Sequence, residues 1–152
     1  MSVGKNLLFI ENQSIVPAFT PSTTALSTNT NGLGIDRTGY ETLGIGLAVG
    51  AATGSPTAQS IIVKLQDSAD NTTFSDFDSI ETDALTADST NTYLRVDISG
   101  ARQYIRAVAE PTFTGGTSPE IPFSCMILLA DRQRNDLFDS ATQYTQTFTQ
   151  GV

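Results

Sequence analysis

The stretch Tyr40-Glu41-Thr42-Leu43-Gly44-Ile45-Gly46-Leu47-Ala48-Val49-Gly50-Ala51 decides the fold class. Leu43, Ile45, Leu47 and Val49 alternate strictly with Gly44, Gly46, Ala48 and Gly50. Successive Cβ atoms of a strand point to opposite faces, so period two with all the bulk on one side is a strand lying over a core. The other side carries almost no side chain, which leaves two readings open. Either a neighbouring layer or subunit approaches the backbone there, or the strand bends or bulges at its glycines.

Outward from this strand the same signals recur. Gly54-Ser55-Pro56 turns the chain, and residues 60–66 form the next strand, with Ile61, Val63 and Leu65 on one face. Residues 67–78 read as a polar turn region whose Phe74 and Phe77 are expected to plug the end of the core, and 79–85 as a weaker strand. Residues 90–109 are predicted as a hairpin about Gly100-Ala101. That register puts Leu94, Val96 and Ile98 on one face with Ile105, Ala107 and Ala109, and a slip of one residue would mix the two sets. The last strand, 121–129, is apolar on both faces, with Phe123, Cys125 and Ile127 against Met126 and Leu128, the mark of a central strand. Pro122 is tolerable because it falls at the strand's start.

Short strands punctuated by turns, with no helical periodicity between them, predict an all-β fold, an antiparallel β-sandwich. A jelly roll is the topology expected first and an immunoglobulin-like one the alternative. Residues 1–31 are expected to be an extended N-terminal arm, 32–131 the sandwich core and 132–152 a polar C-terminal tail. At 152 residues and 16.1 kDa the chain fits one domain.

Composition removes function classes. Eight Lys+Arg against 16 Asp+Glu give a net charge of -8, which argues against binding nucleic acid or an anionic membrane, since both need basic patches. Histidine is absent and there is one cysteine, so the commonest general base, imidazole metal ligands and any intrachain disulfide are excluded. No segment is long and apolar enough to span a bilayer as a helix. The apolar run 7–10 is too short for a signal-peptide core, so the expectation is a protein made in a cytoplasm and used without secretion.

The remaining candidates for chemistry are few. Cys125 has no histidine to deprotonate it and sits mid-strand, which favours a buried structural thiol. Asp67, Asp70, Asn71, Asp76 and Asp78 offer hard oxygen ligands for calcium, but the spacing misses the EF-hand pattern, and an Asx-rich turn explains the same residues. Glu81 with Asp83 is a carboxylate pair that nothing marks as buried or opposed. Neither an enzyme, nor a metal site, nor a cofactor is expected.

The most informative cluster comes from the predicted hairpin. It places Arg95 opposite Arg106, flanked by Tyr93, Tyr104 and Asp97, on the face away from the core. Opposed like charges are unfavourable unless an anion or carboxylate lies between them, so the cluster is a candidate contact for an acidic partner. The simpler reading has Asp97 or Glu110 neutralise the arginines while the tyrosines cover their stems. With the bare strip at Gly44 and Gly46, these are the candidate partner-contact residues.

One resemblance joins these segments. Residues 34–43, Gly34-Ile35-Asp36-Arg37-Thr38-Gly39-Tyr40-Glu41-Thr42-Leu43, lead into the Gly/Ala-alternating strand. Then follow Ile62-Val63-Lys64-Leu65-Gln66-Asp67-Ser68-Ala69-Asp70-Asn71-Thr72-Thr73-Phe74, and Tyr93-Leu94-Arg95-Val96 with Tyr104-Ile105-Arg106-Ala107. Over residues 32–130 this order resembles small β-sandwich virion proteins of tailed bacteriophages, among them capsid decoration (cement) proteins. The resemblance implies a non-enzymatic protein that binds the major capsid protein on the outside of the head and stabilises it, as a homotrimer. It transfers no functional residue. The alternatives are a tail or fibre-associated host-contact protein and a lectin-like binding module.

Overall fold

The computed structural model describes residues 14–20 and 25–132. Ten strands and no helix occur among them: β1 (Ser14–Pro17), β2 (Ala25–Leu26), β3 (Thr30–Asn31), β4 (Ile35–Asp36), β5 (Tyr40–Val49), β6 (Ala58–Ser68), β7 (Ser75–Glu81), β8 (Asn91–Asp97), β9 (Tyr104–Thr114) and β10 (Ile121–Arg132). They form two antiparallel sheets. One runs β1-β10-β5-β8, with β2 also on β10, and the other β3-β9-β6-β7, with β4 also on β9.

If β1 and β2 count as two segments of one strand, and β3 and β4 as two of another, eight strand positions result. First pairs with eighth, second with seventh, third with sixth and fourth with fifth. That nested pairing is a jelly roll, and it removes the immunoglobulin-like alternative.

The alternation read from sequence sets which faces meet. Leu43, Ile45 and Leu47 of the first sheet, with Ile127 and Leu129 beside them, turn inward to Ile61, Val63, Leu65, Ile105 and Ala107 of the second. All are essentially inaccessible to water, and burying each of the larger ones contributes about 1.5–3 kcal/mol of transfer free energy. Phe19 meets Phe123 edge to face, with ring centroids 5.0 Å apart, and closes one part of the core. Phe77 is buried as expected, whereas Phe74 lies on the outside of the second sheet.

Two expectations are corrected. The predicted hairpin over 90–109 does not form: β8 pairs with β5 in one sheet and β9 with β6 in the other. The chain does turn at 98–101, with the Ala101 N–H donating to Ile98 O at 3.0 Å, but it crosses between sheets there. Both strands still point an apolar face at the same core, so the residue pattern is identical for a hairpin and a sandwich corner. The arm assigned to 1–31 is also revised. Its described parts are strands of the sandwich, and Ala18, Phe19 and Leu26 are core residues. Residues 1–13 and the tail from 133 onward lie outside the described residues.

Candidate protein-contact surface

Strand registers fix what each sheet shows to the outside. Across the first sheet, Ile15 of β1 stands beside Leu128 of β10, which pairs with Gly44 of β5, which pairs with Arg95 of β8. The next outward row is Pro17, Met126, Gly46 and Tyr93, and a third holds Ser124, Ala48 and Asn91. Four of the six expected contact residues, Gly44, Gly46, Tyr93 and Arg95, therefore share one face. Tyr104 and Arg106 do not join them. They sit on β9, on the outside of the opposite sheet, so Arg95 does not oppose Arg106.

The face of the first sheet is apolar where it is open. Ile15 is 66% exposed, Tyr93 60% and Met126 41%; these are three of the four large hydrophobic residues exposed among the described ones. From Thr42 to Ala48 and from Ser124 to Ala130 it bears no charged residue. Among the described side chains its charges lie on the rim, at Arg95 and Asp97 of β8. Asp97 accepts the Ser99 N–H at 2.8 Å, and that hydrogen bond holds its carboxyl below the usual range. Ile15 and Pro17 were missed in sequence because they fell in the presumed arm. Met126 and Leu128 form the second apolar face that the last strand shows in sequence, and the structure turns that face outward.

The two glycines of this face differ. A Cβ on Gly44 would overlap the Tyr93 phenol, with Cζ at 2.8 Å and Cε2 at 2.9 Å, so the ring of Tyr93 uses the space that Gly44 leaves. A Cβ on Gly46 would meet none of the described residues within 4 Å. The register runs unbroken through Gly46 on both sides, so no bulge accounts for it.

The outside of the second sheet is the opposite case, with its polar groups engaged by one another. Arg106 donates to Gln66 Oε1 from Nε at 2.9 Å and from a terminal nitrogen at 2.7 Å, and its guanidinium lies 4.2 Å from the centroid of the Phe74 ring. Gln66 in turn donates to Asp76 at 2.7 Å, and Lys64 pairs with Glu110 at 2.9 Å. Tyr104 accepts from Gln103 at 3.3 Å.

The candidates for chemistry take structural roles. Asp67 is buried and accepts from the Arg102 backbone N–H and from Arg102 Nε, both at 2.9 Å; these bonds hold its carboxyl below the usual range. Asp70 accepts the N–H groups of Thr73 (2.8 Å) and Thr72 (2.9 Å), an Asx turn that lowers its pKa well below the ordinary value. Among the described residues no three Cys, Asp or Glu side chains gather as a metal site. Glu81 and Asp83 are both exposed. Cys125 points into the core, where burial pushes its thiol up to about 12.

No family model matches the chain, and no curated protein matches it in sequence. Solved structures with a similar chain path include the SPBc2 prophage-derived protein YomS, at 13% identity and a TM-score of 0.45 over 79% of this chain and 94% of that one. The mosquito-larvicidal Cry4Aa toxin of Bacillus thuringiensis gives 10% identity and 0.43, over 80% of this chain and 24% of the toxin's. The infectious bursal disease virus particle protein gives 13% and 0.40, over 78% and 28%. The jelly-roll assignment rests on the strand pairing above and not on these likenesses.

Proposed function

We propose that this chain is a non-enzymatic structural protein of a phage virion, a decoration protein that binds the major capsid protein on the outside of the head and works as a trimer. The observation that carries the reading is the outer face of the first sheet: an open apolar surface on a rigid sandwich, suited to holding another protein. The surrounding chemistry agrees. Asp67, Asp70 and Cys125 are engaged in turns, an ion pair and the core, so none of these candidates for chemistry stands beside that face. A net charge of -8 suits a protein outside the shell that must not bind the genome within. A trimer would match the three-fold positions of an icosahedral shell.

The test is the copy number of the protein in purified particles, by quantitative mass spectrometry against the major shell protein. The expected result is many copies in a fixed ratio to the shell subunit. A handful would move the protein to the tail or a vertex, and complete absence would end the virion reading.

A further inference from the structure

We infer that Asn31 is a site of self-modification, at which the backbone nitrogen of Gly32 attacks the Asn31 carboxamide and converts the residue to aspartate and isoaspartate. The pairing of β3 on β9 holds the reaction back, and it proceeds when that edge opens.

The chemistry comes from one pair of neighbours. Of the seven asparagines in the chain only Asn31 is followed by glycine; the others precede Leu7, Gln13, Thr30, Thr72, Thr92 and Asp136. When the Gly32 N–H gives up its proton, the nitrogen bonds to Cγ of Asn31 and ammonia leaves, which closes a cyclic imide. Water then opens the ring at either carbonyl. One product is aspartate, and the other is isoaspartate, whose main chain runs through the side chain. A side chain on the attacking residue crowds the ring closure, and glycine has none and turns freely.

The fold needs the glycine that makes this pair reactive. A Cβ on Gly32 would overlap Ala18 O and lie 2.7 Å from Ala107 O, both backbone atoms that cannot swing aside. The two carbonyls belong to opposite sheets, because Ala18 follows β1 and Ala107 lies in β9. The Gly32 N–H donates to Ala107 O and the Leu33 N–H to Ala18 O, each at 2.8 Å, so this dipeptide stitches the sheets together.

The same contacts restrain the reaction. Asn31 is exposed, so water and hydroxide reach its carboxamide. It is paired with Val108 as extended strand, and the imide closes only when its ψ leaves the strand value. The nucleophile is engaged as well, since its proton is the one donated to Ala107 O. The guard is slight: β3 is two residues long and lies at the edge of its sheet. Such segments open locally far more often than core strands do, so the reaction runs through that opening and not through unfolding of the whole chain. Isoaspartate adds a methylene to the main chain at residue 31. Thr30 then cannot stay on Ala109 while Gly32 stays on Ala107, and the stitch is lost.

The experiment incubates the full chain at mildly alkaline pH, folded and in denaturing urea, and follows every asparagine by peptide mass spectrometry. In urea Asn31 is expected to convert before any other. Folded, it should again convert first, but slower by about tenfold or more, as the closed edge outweighs the open one. Asp67→Ala, which loosens the corner at Arg102 and not β3, should leave the folded rate unchanged. Chains carrying the added negative charge, separated by ion exchange, should melt below unmodified ones, whereas Asn31→Ser should abolish that species and keep the wild-type Tm. Another asparagine converting first, or a folded rate equal to that in urea, overturns the inference. So does a folded rate no greater than the unfolded fraction supplies, which would rise with Asp67→Ala. Modified chains that melt with the unmodified ones overturn the stitch at Gly32.

Discussion

Removing the Asp67 carboxylate tests how the sandwich is closed at one corner. Asp67, at the end of β6, receives the Arg102 backbone N–H and Nε at 2.9 Å each, and a terminal guanidinium nitrogen of Arg102 also donates to the backbone carbonyl of Asp67 at 2.8 Å. The clasp ties β6 to the segment that crosses from β8 to β9. The Asp67 side chain is 8% exposed and that of Arg102 42%, so the Coulomb part is screened from the Arg102 side. What Asp67→Ala removes is a buried acceptor for charge-assisted bonds, and it leaves the Arg102 N–H without its partner. Hydrogen bonds to charged groups contribute about 1.5–3 kcal/mol each and are not additive when shared by one carboxylate, so the expected loss is about 2–3 kcal/mol. At about 2–4 °C per kcal/mol for a chain of this size, Tm falls by about 4–12 °C. Asp67→Asn keeps an acceptor for the N–H and should lose about half as much. Thermal unfolding followed by circular dichroism at fixed chain concentration gives both numbers, with and without millimolar calcium. A loss for Asp67→Ala below about 1 kcal/mol would refute the clasp as a stabilising contact. A calcium-dependent rise in the wild-type Tm would show a cation where the guanidinium has been placed.

Two further outcomes follow from the same geometry. Asp36, Asp67, Asp70, Asp88 and Asp97 are all held below their ordinary value of 3.8, chiefly by hydrogen bonds they accept from Thr38, Arg102, Thr73, Ala52 and Ser99 in turn. A depressed folded-state pKa gives stability that is complete above the unfolded value and lost as pH falls through the folded one, so urea midpoints should hold from pH 7 to 5 and drop below about pH 4; a midpoint flat down to pH 3 contradicts this. Arg95→Glu and Arg106→Glu, on opposite outer faces, should act separately: Arg95→Glu weakens particle binding, while Arg106→Glu lowers Tm by disrupting its bonds to Gln66 and its packing on Phe74. Equal effects of the two on both readouts would contradict the separation of the faces.

The inward half of the fold was legible because burial imposes a period. Leu43 to Val49, Ile61 to Leu65 and Ile105 to Ala109 each alternate, and each set is in the core. What period two cannot carry is the identity of a strand's neighbour. Leu94 and Val96 present the same face to the core whether β9 lies beside β8 or across from it, so the pattern was satisfied by a hairpin that the chain does not make. The pairing of the first strand with the last was similarly hidden. Ser14–Pro17 is four residues long and pairs with a strand more than a hundred residues away, which leaves no local trace. In the candidate site, sequence offers the glycine strip and the arginine–tyrosine cluster as two surfaces, and it is the pairing of β5 with β8 that puts Gly44, Gly46, Tyr93 and Arg95 on one face. Arg106 and Tyr104 were misplaced because the neighbour was wrong.

The two outer faces show why a contact surface is harder to read than a core. On the second sheet Lys64, Gln66, Arg106 and Glu110 satisfy one another, and the sandwich needs nothing further there. On the first, Gly44 and Gly46 are two residues apart, identical in type and identical in orientation, and sequence gives them one meaning. The structure gives them two. Gly44 makes room for a side chain of its own chain, whereas Gly46 makes room for nothing that the described residues supply. The bare strip is therefore half internal packing and half space that no described residue fills, and that half, flanked by Met126 and Tyr93, lies at the centre of the face proposed to hold another protein.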